Sequence, residues 1–377
     1  MICSGRDAAT GEFVEIEFDE SIRSVRRVKP EGANADAWVA PGFIDIQVNG
    51  FAGVDFNRPD TPHNEIRKAL DLIVSTGVTR CLPTVITGPK DDIVGCLRNL
   101  AAAKNALPLG KVIAGFHVEG PHIASVDGPR GAHPLDSVRP PDIEEYKRWQ
   151  EATEGQIRLI TLSAEYESAP DYIRRIVRDG VTASIGHTAA TSDQIRAAVD
   201  AGATLSTHLG NAAHSVMPKH PNYIWDQMAD DRLSASFIVD GIHLGAAFLK
   251  SAVRAKTVSR SVLVTDASAP AGAKPGRYVL GRQAADLTED GRVVLAGTDR
   301  LAGSALKMND AIANVMRMAG ISLSEALAMA TTHPARVAHL EGRSNWLVVG
   351  ERADLVTFRT GTGVTIDSVY IDGKRAV

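Results

Sequence analysis

The chain has 377 residues, 44% of them apolar, with 41 Lys and Arg against 45 Asp and Glu and a net charge of -4. That length and apolar share predict a large core, one big α/β unit with a smaller companion, and the charge balance excludes the basic patch of a nucleic-acid binder. No apolar run approaches the roughly 20 residues of a membrane span, no basic-then-apolar leader opens the chain, and the scattered Cys3, Cys81 and Cys96 form neither a disulfide framework nor a CxxC metal motif, so a cytoplasmic protein is expected.

In chain order, residues 1–37 carry short alternating segments, "FVEIEFDE" and "SIRSVRRV", whose period of two predicts strands. From residue 38 near-continuous apolar runs, suited to parallel strands buried on both faces, alternate with amphipathic stretches. Eight strands are predicted, over 38–50, 78–87, 111–120, 158–165, 181–188, 203–211, 233–241 and 261–268. Between them "NEIRKALDLIVSTG", "DDIVGCLRNLAAAKNAL", "PDIEEYKRWQEA", "DYIRRIVRDG" and "SDQIRAAVDAG" repeat apolar residues at three and four. Several close on the glycine of a helix C-terminus. "TSDQ" and "SLSEA" read as helix starts, a capping hydroxyl followed by an acid in the first turn. Eight strand–helix units in about 250 residues predict an α/β fold of the (β/α)8 TIM-barrel type. An open doubly wound sheet is the other candidate, but no GxGxxG follows the first strand. Residues 346–377 return to short alternation, and neither end is long enough to fold alone. The expected division is a small β-sandwich domain from 1–37 plus 346–377, set against a barrel of 38–345.

The metal-capable side chains gather at predicted strand ends. Glu119 ends the third, His187 the fifth, His208 the sixth and Asp266 the eighth, while Asp240 and His243 follow the seventh. In a (β/α)8 barrel these ends converge on one mouth. Two imidazoles and a carboxylate are a common catalytic zinc set with one position left open. Glu119, His187 and His208 supply that set for one divalent ion, zinc or alternatively iron or another dication. Such an ion activates water and polarises a carbonyl. Asp266, ionised beside a dication, can take a proton and return it to a leaving amine. Singly, each residue has a plainer reading: Glu119 can pair with a mouth Arg or Lys, His187 can be a core histidine, and Asp266 can open a turn. Their joint placement on four strand ends favours a site. His117, two residues before Glu119 and on the same face, supports the site or stabilises the core. His63, His333 and His339 read as structural or exposed, and no role attaches to His122, His214 or His220.

The motifs "HVEGPH", "GHTAAT", "THLGNA", "VDGIHL", "VTDASAPAG" and "LAGSAL" follow one another in order. With the stretch "APGFIDIQVNGFAGVDFN", they resemble the N-acetylglucosamine-6-phosphate deacetylase family of the amidohydrolase superfamily. The resemblance implies a metal-bearing barrel with a small β domain built from both chain ends, and a homodimer. It implies that Glu119, His187 and His208 bind the metal and that Asp266 is the acid/base. By the same resemblance His133, beside Ala132 in "RGAHP", contacts the acetyl carbonyl. Asn211, Ala212, Asp240, His243 and the Leu301, Ala302, Gly303 run contact sugar and phosphate. Water would then attack the N-acetyl amide and release acetate and an amino sugar. Many superfamily members place His-x-His at the end of the first strand for a second metal. Gln47 and Asn49 stand there and predict a vestigial second site, hence one metal. Their amides can hydrogen-bond within the site or satisfy buried groups, and the second is favoured.

Two positions depart from the family pattern. Gly210 stands where a bulky residue, often Tyr, is usual. Lys219 is the nearest match to an Arg that reaches the phosphate of the neighbouring subunit, and it lacks that bidentate fork. Tyr223 and Trp225 in the same loop can stack on a sugar or pack the loop down. The expected substrate is N-acetylglucosamine-6-phosphate. The altered loop keeps open another N-acyl compound: an unphosphorylated N-acetylhexosamine, an N-acyl amino acid or a cyclic imide. A non-catalytic sugar-binding barrel is the third reading, and the complete ligand set opposes it.

Overall fold

The computed structural model describes residues 1–30, 36–342 and 346–377. Eight parallel strands form one sheet: Phe43–Val48, Val78–Ile86, Phe116–Glu119, Ile157–Leu162, Thr182–Ile185, Leu205–Ser206, Ser234–Ile238 and Ser261–Val264, each beside the next. The eighth returns to the first. Asp266 N–H donates to Gln47 O at 2.9 Å and Asn49 N–H to Ala267 O at 2.7 Å, which closes the ring into a (β/α)8 barrel. The intervening helices form for the reasons their sequences give. His63–Ser75 buries Ile66, Ala69, Leu70, Ile73 and Val74 on one face, the three-and-four spacing of an amphipathic helix. Thr191 and Ser322 cap their helices in reciprocal pairs with Gln194 and Glu325. Among the described residues no helix is long and apolar enough to cross a membrane.

The expected strand 38–50 is two strands. Trp38–Pro41 pairs with Leu355–Thr360 and Ile2–Asp7 in a separate sheet, and Phe43–Val48 begins the barrel. Gly42 joins them where a Cβ would lie 2.2 Å from the Thr79 side chain, so no larger residue passes. Other strands stop short of their expected ends, at Ile185, Ser206 and Val264. The residues beyond leave the ladder to aim side chains into the mouth.

Both chain ends build a seven-stranded sheet of mixed direction. The Phe18 and Tyr370 rings lie 5.1 Å apart, although three strands separate theirs in the sheet, so the sheet folds back on itself as a sandwich. Its own core contains Cys3, Ile16, Phe18, Val39 and Leu355. Arg80, buried on the second barrel strand, ties the two units together. It donates to the Asp354 carboxylate at 3.1 Å and to Glu341 O at 2.7 Å.

Sequence reasoning missed a third sheet. Gly276–Leu280, Gln283–Leu287 and Val293–Leu295 run antiparallel after the eighth barrel strand. The "EDG" turn signal between the last two was available. The strands themselves are short, and the first is largely exposed.

Candidate active site

Three of the four strand-end residues share a backbone device. His187, His208 and Asp266 have φ of 50°, 32° and 49°, and Ala212 beside them has 47°. Each lies two residues past its strand, in a left-handed conformation that costs a non-glycine residue roughly 1–3 kcal/mol. The turn swings the side chain over the barrel axis instead of along the strand. Gly186 allows the close approach before His187, since a Cβ there would lie 2.7 Å from Thr161 and 2.8 Å from Thr207.

These turns bring three atoms together. Glu119 Oε1 is 3.2 Å from His187 Nε2 and 3.0 Å from His208 Nε2, and the two Nε2 atoms are 3.1 Å apart. His187 Nδ1 lies 3.0 Å from Pro129 O. A carbonyl only accepts, so Nδ1 carries the proton and Nε2 presents its lone pair. Burial alone would raise the Glu119 carboxyl. A proton held between it and the His187 and His208 ring nitrogens, in the place a cation would take, outweighs that and holds it well below the usual range. A carboxylate and inward-facing ring nitrogens within about 3 Å repel one another unless a proton or cation sits between them. The donor set, one oxygen and two nitrogens, therefore fits a divalent ion.

Asp266 sits against this cluster. Asn49 Nδ2 donates to Asp266 Oδ1 at 2.6 Å. Gln47 Nε2 is 3.2 Å from the same oxygen and 2.9 Å from Glu119 Oε1. The amides of the first strand are thus donors to the two site carboxylates, and the reading that favoured mere satisfaction of buried groups understated them. Burial, then repulsion from Glu119, pushes the Asp266 carboxyl up to about 7.

His133 closes the opposite side. Its Nδ1 is 2.8 Å from Thr87 Oγ1 and its ring 4.4 Å from that of His187. Burial, then the neighbouring His187, pushes it down to about 3, so it is neutral. Its loop is clamped: the carbonyls of Gly131, Ala132 and His133 accept from Arg300, Gln283 and Arg130 at 3.2, 2.7 and 2.8 Å. Ligand atoms of Glu119, His133 and His187 all lie within 4.8 Å of one another.

The cavity over this cluster is lined further by Ala132, Asn211, Ala212, His243, Leu301 and Gly303, all anticipated, and by Ile86, Ile238 and Leu280, which were not. Asp240 does not line it. Its Oδ2 lies 2.6 Å from His243 Nδ1 and orients that ring. Ala302 is buried in the core of the small antiparallel sheet instead. Lys219 is exposed and outside the cavity wall. Tyr223 packs its loop down, its hydroxyl 2.9 Å from both His214 N and Nδ1. His117 lies below the site in a hydroxyl network, 2.8 Å from Thr161 Oγ1, and burial pushes it down to about 4. His333 is structural, held 3.0 Å from Ser261 O.

Residues 38–376 match the profile of the Amidohydrolase family, and the chain belongs to that family, in its N-acetylglucosamine-6-phosphate deacetylase branch. The N-acetylglucosamine-6-phosphate deacetylase of Bacillus subtilis is 33% identical over 86% of this chain and 81% of its own. The N-acetylgalactosamine-6-phosphate deacetylase of Escherichia coli O157:H7 is 32% identical over 90% and 87%. Among solved structures, a point mutant of the Mycobacterium smegmatis N-acetyl-D-glucosamine-6-phosphate deacetylase in complex with N-acetyl-D-glucosamine-6-phosphate has 31% identity and a TM-score of 0.90. It covers 100% of this chain and 99% of its own.

Proposed function

We propose that the protein hydrolyses the N-acetyl amide of an amino-sugar 6-phosphate, N-acetylglucosamine-6-phosphate first, to the amino sugar and acetate. The observation that carries this is the convergence of Glu119 Oε1, His187 Nε2 and His208 Nε2 within 3.0–3.2 Å, with Asp266 against them. The names of the relatives supply the substrate class. A divalent ion held by Glu119, His187 and His208 would supply Lewis acidity and water activation. The chain's own residues do the rest. Asp266 accepts the proton of the attacking water and delivers it to the departing amine. Asn49 and Gln47 hold its carboxyl in place. His133, neutral and fixed by Thr87, donates from Nε2 to the acyl oxygen. His243, oriented by Asp240, and Asn211 meet the sugar. The reading includes a cytoplasmic homodimer. Three buried unpaired cysteines suit a reducing compartment, and exposed Val216 and Trp225 suit a covered face.

The test is acetate release, with added zinc, from N-acetylglucosamine-6-phosphate, its galactosamine isomer and the unphosphorylated sugars. Release from the phosphorylated sugars is expected, and release from none overturns the reading. A second reading, a different N-acyl substrate, is favoured by Lys219 standing outside the cavity. Preference for an N-acyl amino acid or a cyclic imide in the same assay selects it.

A further inference from the structure

A second cavity lies behind the wall of the first. Ile86 and Leu280 line both. Beyond them the second cavity has an apolar floor of Ile93, Cys96, Pro89 and Pro134. Its rim includes the ion pair of Asp92 with Arg282, at 2.7 Å. None of this apolar floor belongs to the cluster of Glu119, His187, His208 and Asp266.

The two shared residues are fixed in place. Ile86 ends the second barrel strand, and its N–H donates to Asn57 Oδ1 at 2.7 Å. Leu280 ends the first strand of the small antiparallel sheet. Ile86 and Ala132 both pack against the cluster that contains Leu280. A Cβ on Gly281 would sit 4.0 Å from Ile86 Cδ1.

The active cavity is chemically two-sided. Asn211 and His243, with hydrogen-bonding side chains, stand on the loops after the sixth and seventh strands. The second barrel strand lies opposite the sixth around the ring, and there the wall is Ile86 and Leu280. The next residue after Ile86, Thr87, anchors His133. An amide carbonyl carbon bears two substituents. The nitrogen carries the hydroxyl-bearing sugar, which needs Asn211 and His243. The alkyl group of the acyl chain is left facing Ile86 and Leu280.

We infer that Ile86 and Leu280 form a gate that sets acyl-chain length, and that the cavity behind them takes the alkyl tail of amides longer than acetyl once either side chain is cut back. This rests on the N-acyl amino-sugar reading above. The reaction is the same hydrolysis. Water oxygen bonds to the acyl carbon, the C–N bond breaks, and the products are the longer carboxylate and the amine, with no other reactant.

The test compares N-acetyl-, N-propionyl- and N-butyrylglucosamine-6-phosphate on zinc-loaded parent, Ile86→Ala and Leu280→Ala. Calorimetric binding of the same series to zinc-free protein is the second readout. One or two methylenes that do not fit a pocket change kcat/KM by about 10–200-fold. The parent is expected to lose at least about tenfold from acetyl to butyryl. Either variant is expected to raise the butyryl-to-acetyl ratio at least about tenfold, with the same order in binding. Two variants are used because they stand on different elements, so a folding defect in one leaves the other. A parent that cleaves butyryl as well as acetyl, or two variants that keep the parent's ratio, overturns the gate while the deacetylase reading stands. A parent that cleaves none of the series overturns both.

Discussion

Asp266 and Asn49 show how much one side chain depends on its neighbours. Asp266→Asn keeps the volume and removes the proton acceptor, so turnover should fall by at least about 100-fold, the low end of general-base effects. Substrate and cation binding should persist, as acetate release and calorimetry will tell; near-parent turnover would refute the assigned role. His208→Ala differs in kind. The ring's Nδ1 is buried with no hydrogen-bond partner among the described residues, so its far side is held by packing alone. Truncating it should strip the site of its ion, read by elemental analysis after dialysis, and retention of a full equivalent would remove His208 from the ligand set. The residues themselves were legible because imidazole and carboxylate at strand ends are rare outside a site. What Gln47 and Asn49 do was not legible. Their spacing fixes a shared face, but the partner of an amide depends on the eighth strand closing beside the first.

At the scale of elements, the first barrel strand differs from the His-x-His of many superfamily members, and the loop after the sixth carries the departures from the family pattern. Gln47 and Asn49 face the cluster, so Gln47→His with Asn49→His should restore a second set of imidazoles. The double variant should bind two equivalents of zinc where the parent binds one, and a stoichiometry that stays at one would sink the vestigial-site reading. Gly210 has φ of 99°, and a Cβ there would meet Phe248 at 2.5 Å. The space beside it is filled from the Ala246–Lys256 helix. Gly210→Ala should therefore cost about 2 kcal/mol or more in denaturant unfolding. Phe248→Ala should recover only the steric share, and a neutral Gly210→Ala would contradict the geometry. The alternating strand–helix pattern made these elements readable, because burial on one or two faces leaves a period in sequence. Strand ends were not readable. A residue that turns out of the ladder at positive φ keeps the same apolar neighbours as one that stays in.

For the whole molecule, the seam between the eighth and first strands also governs stability. Asp45 lies buried beneath it, accepting from the Thr265 hydroxyl and, at 3.2 Å, from Gln47 N–H. Burial pushes its carboxyl up to about 6, against about 3.9 in an unfolded chain. Between those values the folded state holds the extra proton. The group's contribution is full below about pH 4 and is lost as pH rises through about 6. Asp45→Asn has no such titration, so its unfolding free energy relative to the parent should improve by roughly 3 kcal/mol from well below pH 4 to well above pH 6; a flat difference would show the carboxyl is not perturbed. The split of Trp38–Pro41 from the barrel was hidden for a related reason: both strands are apolar, and only Gly42 marks the passage between sheets. The seam also places the chemistry in time. Asp266 and Gln47 are 219 residues apart in the chain. During synthesis at about 5–20 residues per second, a nascent chain has already made Glu119, His187 and His208, the proposed cation ligands, while Asp266, the proposed proton carrier, is still unmade. On the proposed reading the molecule becomes a hydrolase only when its last barrel strand meets its first.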